Sequence, residues 1–218
     1  PNMAISLSSP CSEVKTSNMI QIESHVFNSF QVNTYLVRNE QNECLVVDPA
    51  FYSPDEIHRF DRYISDNGLQ ITGQINTHGH VDHVLGVLHV KSTYGCPFRA
   101  HTNEAGLVNN APLMGEVFGL RVAPIPGIDE TLEDRQEIHL GAYSLQSILV
   151  PGHSPGSLAF YSPEGKFVIT GDALFQMSIG RTDFPGGSFD TIKETRYRLK
   201  KFFMAKIKGL NSVHDVDC

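Results

Sequence analysis

A chain of 218 residues and 24.2 kDa is long enough to hide roughly 70 % of its unfolded surface, so a sizeable core is feasible without staples. Its 40 % apolar and 19 % charged residues exclude collagen, coiled coil and bulk disorder, and no run approaches the roughly 18 apolar residues of a membrane span. With 24 acids against 17 bases the net charge is −7, which disfavours a general nucleic-acid binder; neither nucleic acid nor membrane is expected as a partner.

Residues 1–18 are Ser-rich, polar and aperiodic, and read as a disordered extension ahead of one domain spanning 19–218. Ile20 to Phe27 and Thr34 to Val37 have the β-branched and aromatic enrichment of strands. Leu45-Val46-Val47 is a short apolar run of the kind buried on both faces, and it stops at Asp48-Pro49. Ser53-Pro54-Asp55-Glu56 is a capping box with Pro at the first helical position, and Ile57, Phe60 and Ile64 follow at helical spacing up to a stop at Gly68. Gln70 to Ile75 reads as a strand and Val84 to Tyr94 as a second helix. The region from Asn103 to Leu132 is interrupted by Gly and Pro, and its apolar residues Leu113, Met114, Val117, Phe118 and Leu120 read as core packing. Ile138 to Val150, Leu158 to Tyr161 and Phe167 to Thr170 supply further strands, and Thr191 to Lys206 a last helix. Strands with interspersed helices suit an α/β fold of two packed sheets covered by helices. Cys11, Cys44, Cys96 and Cys218 stand far apart without CxxC spacing, which fits a reducing, cytoplasmic setting better than a disulfide framework.

The chemistry is concentrated directly after the strand ending at Ile75. Thr77-His78-Gly79-His80-Val81-Asp82-His83 places three imidazoles and a carboxylate within six residues, the donor types that zinc and its first-row relatives accept outside sulfur-rich sites. His78 and His80, two apart in an extended turn, project to one side; Asp82 and His83 lie where the next helix begins. Together they can address two ions, as two-metal hydrolytic sites require. Two further strand ends agree: a tight Pro-Gly loop holds His153 after Val150, and Thr170-Gly171-Asp172 places Asp172 at a similar edge.

The set His78, His80, Asp82, His83, His153 and Asp172 resembles the metallo-β-lactamase superfamily. Asn33-Thr34-Tyr35, Leu45 to Pro49, Gly171 to Phe175 and Gly180 to Gly187 are similar to its short, single-domain glyoxalase II-like branch. The resemblance implies a four-layer αββα sandwich with the metals at one edge between the sheets. It implies that His78, His80 and His153 bind a first ion, that Asp82 and His83 belong to a second, and that Asp172 bridges both. Asp48, Thr77, Gly79 and Arg181 would support the site, with Arg181 paired beneath the metals. The implied cofactor is zinc, one or two ions, with iron or manganese as alternatives. The implied reaction is hydrolysis of a small-molecule thioester such as S-lactoylglutathione by attack of a metal-bound hydroxide, with Asp82 holding the nucleophile. The alternative is a persulfide dioxygenase using one iron on His78, His153 and Asp172.

Relatives in that family finish with a strand and a Pro-Gly-His-Gly loop that completes the second site. The last residues here, Gly209 to Cys218, contain no such loop, so the end of the domain reads as atypical or truncated; His214 is the substitute candidate, without a Gly-rich turn to aim it. The second ion is therefore expected to bind more weakly than the first. From Lys193 to Lys208 seven basic residues accompany one acid, over an apolar stripe of Ile192, Leu199, Phe203 and Ile207. This reads as the solvated face of a core-packed helix, with an anionic partner or a membrane surface as the alternative.

Overall fold

The β-branched and aromatic alternation at the start of the domain forms a hairpin, β1 (Gln21–Phe27) and β2 (Val32–Arg38), paired antiparallel from Gln21 opposite Arg38 to Phe27 opposite Val32. The computed structural model describes residues 20–175 and 178–207, so the extension over 1–18, Cys11, Cys218 and His214 lie outside the described residues. β3 (Glu43–Val47) adds antiparallel to β2, and β4 (Gln70–Ile75) pairs parallel with β3 through the helix α1 (Pro54–Asp66). The capping box forms as the sequence requires: Glu56 N donates to Ser53 Oγ at 3.3 Å and Ser53 N to the Glu56 carboxylate at 3.0 Å.

Short parallel strands β5 (Phe98–Ala100) and β6 (Glu130–Thr131) complete a six-stranded sheet in the order β1 to β6. The second sheet is antiparallel, β10-β9-β8-β7, from β7 (Glu137–Leu140), β8 (Tyr143–Leu149), β9 (Leu158–Ser162) and β10 (Phe167–Ile169). The single strand expected over Ile138 to Val150 is thus two, because Gly141, at φ +60°, supplies the left-handed position of a tight turn. Similarly, the helix expected from Val84 to Tyr94 is split at Gly86 into α2 (Val81–Val84) and α3 (Val87–Tyr94). A helix not anticipated, α4 (Ala105–Val117), occupies the Gly- and Pro-interrupted region. Its Leu113 and Val117 are 62 % and 71 % exposed and the following Phe118 41 %, so these residues are not the core packing that their apolarity suggests. A small hairpin, β11 (Leu174–Phe175) and β12 (Ser178–Ile179), precedes α5 (Phe189–Ile207).

The layers are αββα. Val37, Leu45, Val47 and Ile75 of the first sheet meet Leu145, Leu158 and Phe160 of the second in the central core. On the outer face of the first sheet, Phe60 and Ile64 of α1 and Val90 of α3 pack on Leu36, Cys44 and Val46. On the outer face of the second, Leu199 of α5 covers Ile148, Val150 and Ala159. α4 packs beside α2 through Val108 and Ala111 against Val81 and Val84. No helix among the described residues is long and apolar enough to cross a membrane.

Phe51 is the hinge of the outer cluster: fully buried, its ring is stacked on Phe60 at 4.3 Å and edge-on to Phe27 at 5.5 Å. Phe51→Ala is expected to cost about 3–5 kcal/mol in denaturant unfolding. A loss below about 1 kcal/mol would show that the site collapses readily and that this ring is not central to the layer.

Candidate metal centre

Three chain segments meet the loop from Thr77 to His83 at the edge where β3 and β4 end. The first is the turn at Asp48, which follows β3 in a left-handed conformation, φ +51°, uncommon for a residue other than glycine. Thr34 fixes that turn, donating from Oγ1 to Asp48 O at 2.7 Å and accepting from Ala50 N at 3.0 Å. So turned, the buried Asp48 carboxylate accepts Thr77 N at 2.7 Å on Oδ1, and Thr77 Oγ1 at 2.7 Å and His83 Nδ1 at 3.1 Å on Oδ2. Because the Thr77 hydroxyl proton goes to Asp48, Thr77 Oγ1 accepts from His78 Nδ1 at 3.0 Å. That bond leaves His78 Nε2 as a bare lone pair.

The second segment is the loop Pro151 to Ser157. His153 Nδ1 donates to Arg181 O at 2.7 Å, which fixes its tautomer and leaves His153 Nε2 bare. The third is the turn after β10, where the Asp172 carboxylate reaches both halves of the cluster. Its Oδ1 lies 3.4 Å from His83 Nε2 and its Oδ2 lies 3.6 Å from His153 Nε2. Asp82 Oδ2 is 3.9 Å from His83 Nε2.

The six sequence-predicted residues are therefore brought together. His153 Nε2 is 3.2 Å from His78 Nε2 and 2.9 Å from His80 Nδ1, and His80 Nε2 is buried without a partner. Two bare lone pairs facing each other at that distance repel, and one imidazole proton from His80 cannot satisfy both. The donor set fits a cation: the ligand atoms of His78, His80 and His153 all lie within 4.8 Å of one another. Burial, reinforced by neighbouring imidazoles, holds His78 well below the usual imidazole range and His80 down to about 3. Both are thus neutral, the form a metal requires. His83 behaves oppositely. Burial works to lower its pKa, but hydrogen bonds to Asp172 and Asp48 and the charges of Asp48 and Asp82 raise it well above the usual range. Its partners are carboxylates on both ring nitrogens.

Glu104 carries no sequence signal of its own, yet it holds the site together. Fully buried in a 3-10 turn (Thr102–Glu104) before α4, it accepts Gly79 N at 2.7 Å, Gly156 N at 2.6 Å and Ser154 Oγ at 2.8 Å. One carboxylate thereby ties the loop of His78 and His80 to the loop of His153. Asn76 Nδ2 donates to His83 O at 2.8 Å and Asn28 Nδ2 to Asp82 O at 2.9 Å, holding the start of α2. Arg181 departs from its expected place beneath the metals. Its guanidinium is exposed, paired with Asp183 at 2.7 and 2.9 Å and lying 4.2 Å over the Phe184 ring; only its carbonyl supports the site.

An αββα sandwich with a His- and Asp-lined centre at one edge is the architecture of a metallo-β-lactamase-type protein. Residues 28–201 match the sequence model of the metallo-β-lactamase superfamily, and the chain belongs to it. It is similar to the probable metallo-hydrolase YqgX of Bacillus subtilis, 35 % identical over 74 % of this chain and 75 % of that one. It is also similar to the hydroxyacylglutathione hydrolase GloC of Haemophilus influenzae, 32 % identical over 79 % and 81 %. Among solved structures, TTHA1623 in a di-iron-bound form is 30 % identical with a TM-score of 0.74, covering 82 % of this chain and 86 % of that one. BLEG-1, a B3 metallo-β-lactamase, is 26 % identical at the same TM-score, covering 81 % and 84 %.

Removing the Glu104 carboxylate strands two buried amides and a hydroxyl, each costing about 1–3 kcal/mol. Glu104→Ala is expected to lower stability by about 3 kcal/mol or more and to weaken metal binding about 10- to 100-fold, as loss of an outer support does. Thermal unfolding and a zinc titration check the two effects separately. Unchanged zinc affinity in a destabilised variant would show that the two loops hold their geometry without Glu104.

Proposed function

We propose that this chain is a metal-dependent hydrolase of thioesters, acting on S-acyl thiols of the S-lactoylglutathione type. The observation that carries the reading is the division of the site. Three imidazoles, His78, His80 and His153, converge on one point. A second position is flanked by His83 and Asp82, and Asp172 reaches both. In this reading His78, His80 and His153 would hold one ion and Asp82 and His83 a second, with Asp172 within reach of either. Zinc, iron and manganese all suit such nitrogen and oxygen donors. A bound ion supplies water acidified toward neutral pH and polarises an acyl carbonyl.

The chain's own groups do the rest. Asp82, whose pKa burial raises, accepts a hydrogen bond from the attacking water and holds it in line with the substrate. Asp48 and Arg181 O keep His83 and His153 in the tautomers that present Nε2 to the site. Neither of the described cysteines, Cys44 and Cys96, serves as nucleophile: both are buried, and burial pushes the Cys44 thiol up to about 12. The likeness to a hydroxyacylglutathione hydrolase supports this choice of substrate class.

The protein is expected to hydrolyse S-lactoylglutathione, to lose that activity on chelation and to regain it with zinc or iron. Asp172→Asn is expected to reduce kcat/KM about 100-fold or more, since it removes the group shared by both halves. Metal analysis should give up to two ions per chain, the second released first on dilution or mild chelation. A metal-replete protein inert toward every thioester tested but active on a cephalosporin would replace this reading with β-lactam hydrolysis. One iron per chain with oxygen uptake on a persulfide would replace it with the dioxygenase.

A further inference from the structure

The last helix wears its charge on one side. Ile192, Thr195 and Leu199 of α5 are buried, while Lys193, Arg196, Arg198, Lys200 and Lys201 face solvent, on a chain whose net charge is −7. Between this helix and β8 lies a cleft of about 560 Å³, within the size range of small-molecule sites. Ile148, Val150, Leu199 and Phe202 give it an apolar floor, and Arg135, Arg198 and Lys201 a cationic rim. The acid in the lining, Asp134, is already engaged: it accepts Leu149 N at 2.7 Å and lies 3.8 Å from Arg135 Nε. Arg198 donates to Leu149 O at 3.4 Å, which uses one of its five N–H donors. Arg135 is 83 % exposed. Among the described residues the rim therefore carries three cations against one carboxylate, with guanidinium donors to spare.

We infer that this cleft binds an amphipathic anion, a single alkyl chain ending in a carboxylate or phosphate. Arg135 and Arg198 take the head group through charge-assisted hydrogen bonds, which planar guanidinium groups make in pairs to such oxygens. The alkyl chain lies on Phe202 and the edge of Ile148. Each half of the lining excludes a simpler occupant. Inorganic phosphate leaves the apolar floor wet, and a neutral hydrocarbon leaves the cations without a counter-charge. The cleft lies on the outer face of the second sheet, whereas the histidine cluster lies at the edge between the sheets, so the inference is independent of the proposed hydrolysis.

The test is calorimetric titration of the metal-loaded full chain with decanoate, with inorganic phosphate and phosphatidylglycerol vesicles in parallel. Decanoate is expected to bind saturably, and the double variant Arg135→Gln/Arg198→Gln to weaken it at least about tenfold, the loss of one to two charge-assisted bonds. Inorganic phosphate is expected to bind at least about tenfold more weakly than decanoate, since it buries no methylenes. Both arginine side chains face solvent, and an unchanged melting temperature confirms that the variant folds. The inference is overturned if the variant binds decanoate as the parent does, or if chelation abolishes binding, which places the carboxylate on the metal centre. It is equally overturned if phosphate binds as tightly as decanoate, or if the protein binds vesicles but no monomeric decanoate, which makes the helix a membrane-facing surface.

Discussion

The site depends on two buried carboxylates, Asp48 and Glu104, whose positions are fixed by backbone and hydroxyl donors. A buried anion is costly unless its oxygens are hydrogen-bonded, and each of these accepts three donors. Asp48 takes Thr77 N, Thr77 Oγ1 and His83 Nδ1; Glu104 takes Gly79 N, Gly156 N and Ser154 Oγ. Their bonds run between segments distant in the chain, so satisfying each carboxylate also positions the loops. The cost of burial is thus converted into orientation of His78, His83 and His153. A metal arriving at this edge meets ligands already aimed, and the entropy of ordering them is spent in folding.

The two sheets cooperate because the same loops that carry the candidate ligands also stitch the layers. Leu158 N, at the start of β9, donates to Thr77 O at 2.7 Å, and Val150 N donates to Ser157 O at 2.7 Å, closing the loop around His153. Gly152, with φ +131°, lets the first turn of α5 approach so closely that a Cβ would lie 2.5 Å from Ile192 N. A side chain there would push α5 off the second sheet or His153 off its mark. Position in the αββα frame and position in the site are the same constraint.

Much of this was legible in the sequence, for physical reasons that also explain the rest. His78, His80, Asp82 and His83 are readable because ligand spacing is local and the preceding strand announces a loop. His153 and Asp172 are readable because each follows an apolar run that must end at a sheet edge. Glu104 was not, because an acid in a Thr-Asn-Glu turn looks like any polar turn until Gly79 and Gly156 are brought to it from either side. α4 was obscured by Gly106, Pro112 and Gly115, which depress local helix preference, and its packing against α2 overrides them. The exposure of Leu113, Val117 and Phe118 shows the limit of apolarity as a guide to the core. The division at Gly141 likewise depends on a positive φ that composition alone does not distinguish from a glycine inside a strand.

The two halves of the centre are chemically unlike. Around His78, His80 and His153 the donors are imidazoles, of which His78 and His80 are kept neutral by burial; around His83 they are carboxylates, Asp82 and Asp172, with Asp48 behind. A nitrogen-rich position suits borderline ions such as zinc and iron, whereas carboxylate oxygens also accommodate harder ones such as manganese. Without metal the carboxylates attract a proton to His83, the reverse of what happens to its neighbours. The same crowding of negative charge that favours this proton would favour a divalent ion in its place. In the proposed two-ion reading, an ion at either position would neutralise charge on Asp172, which lies 3.4 Å from His83 and 3.6 Å from His153, so occupancy of one position would alter the electrostatics of the other through a single carboxylate.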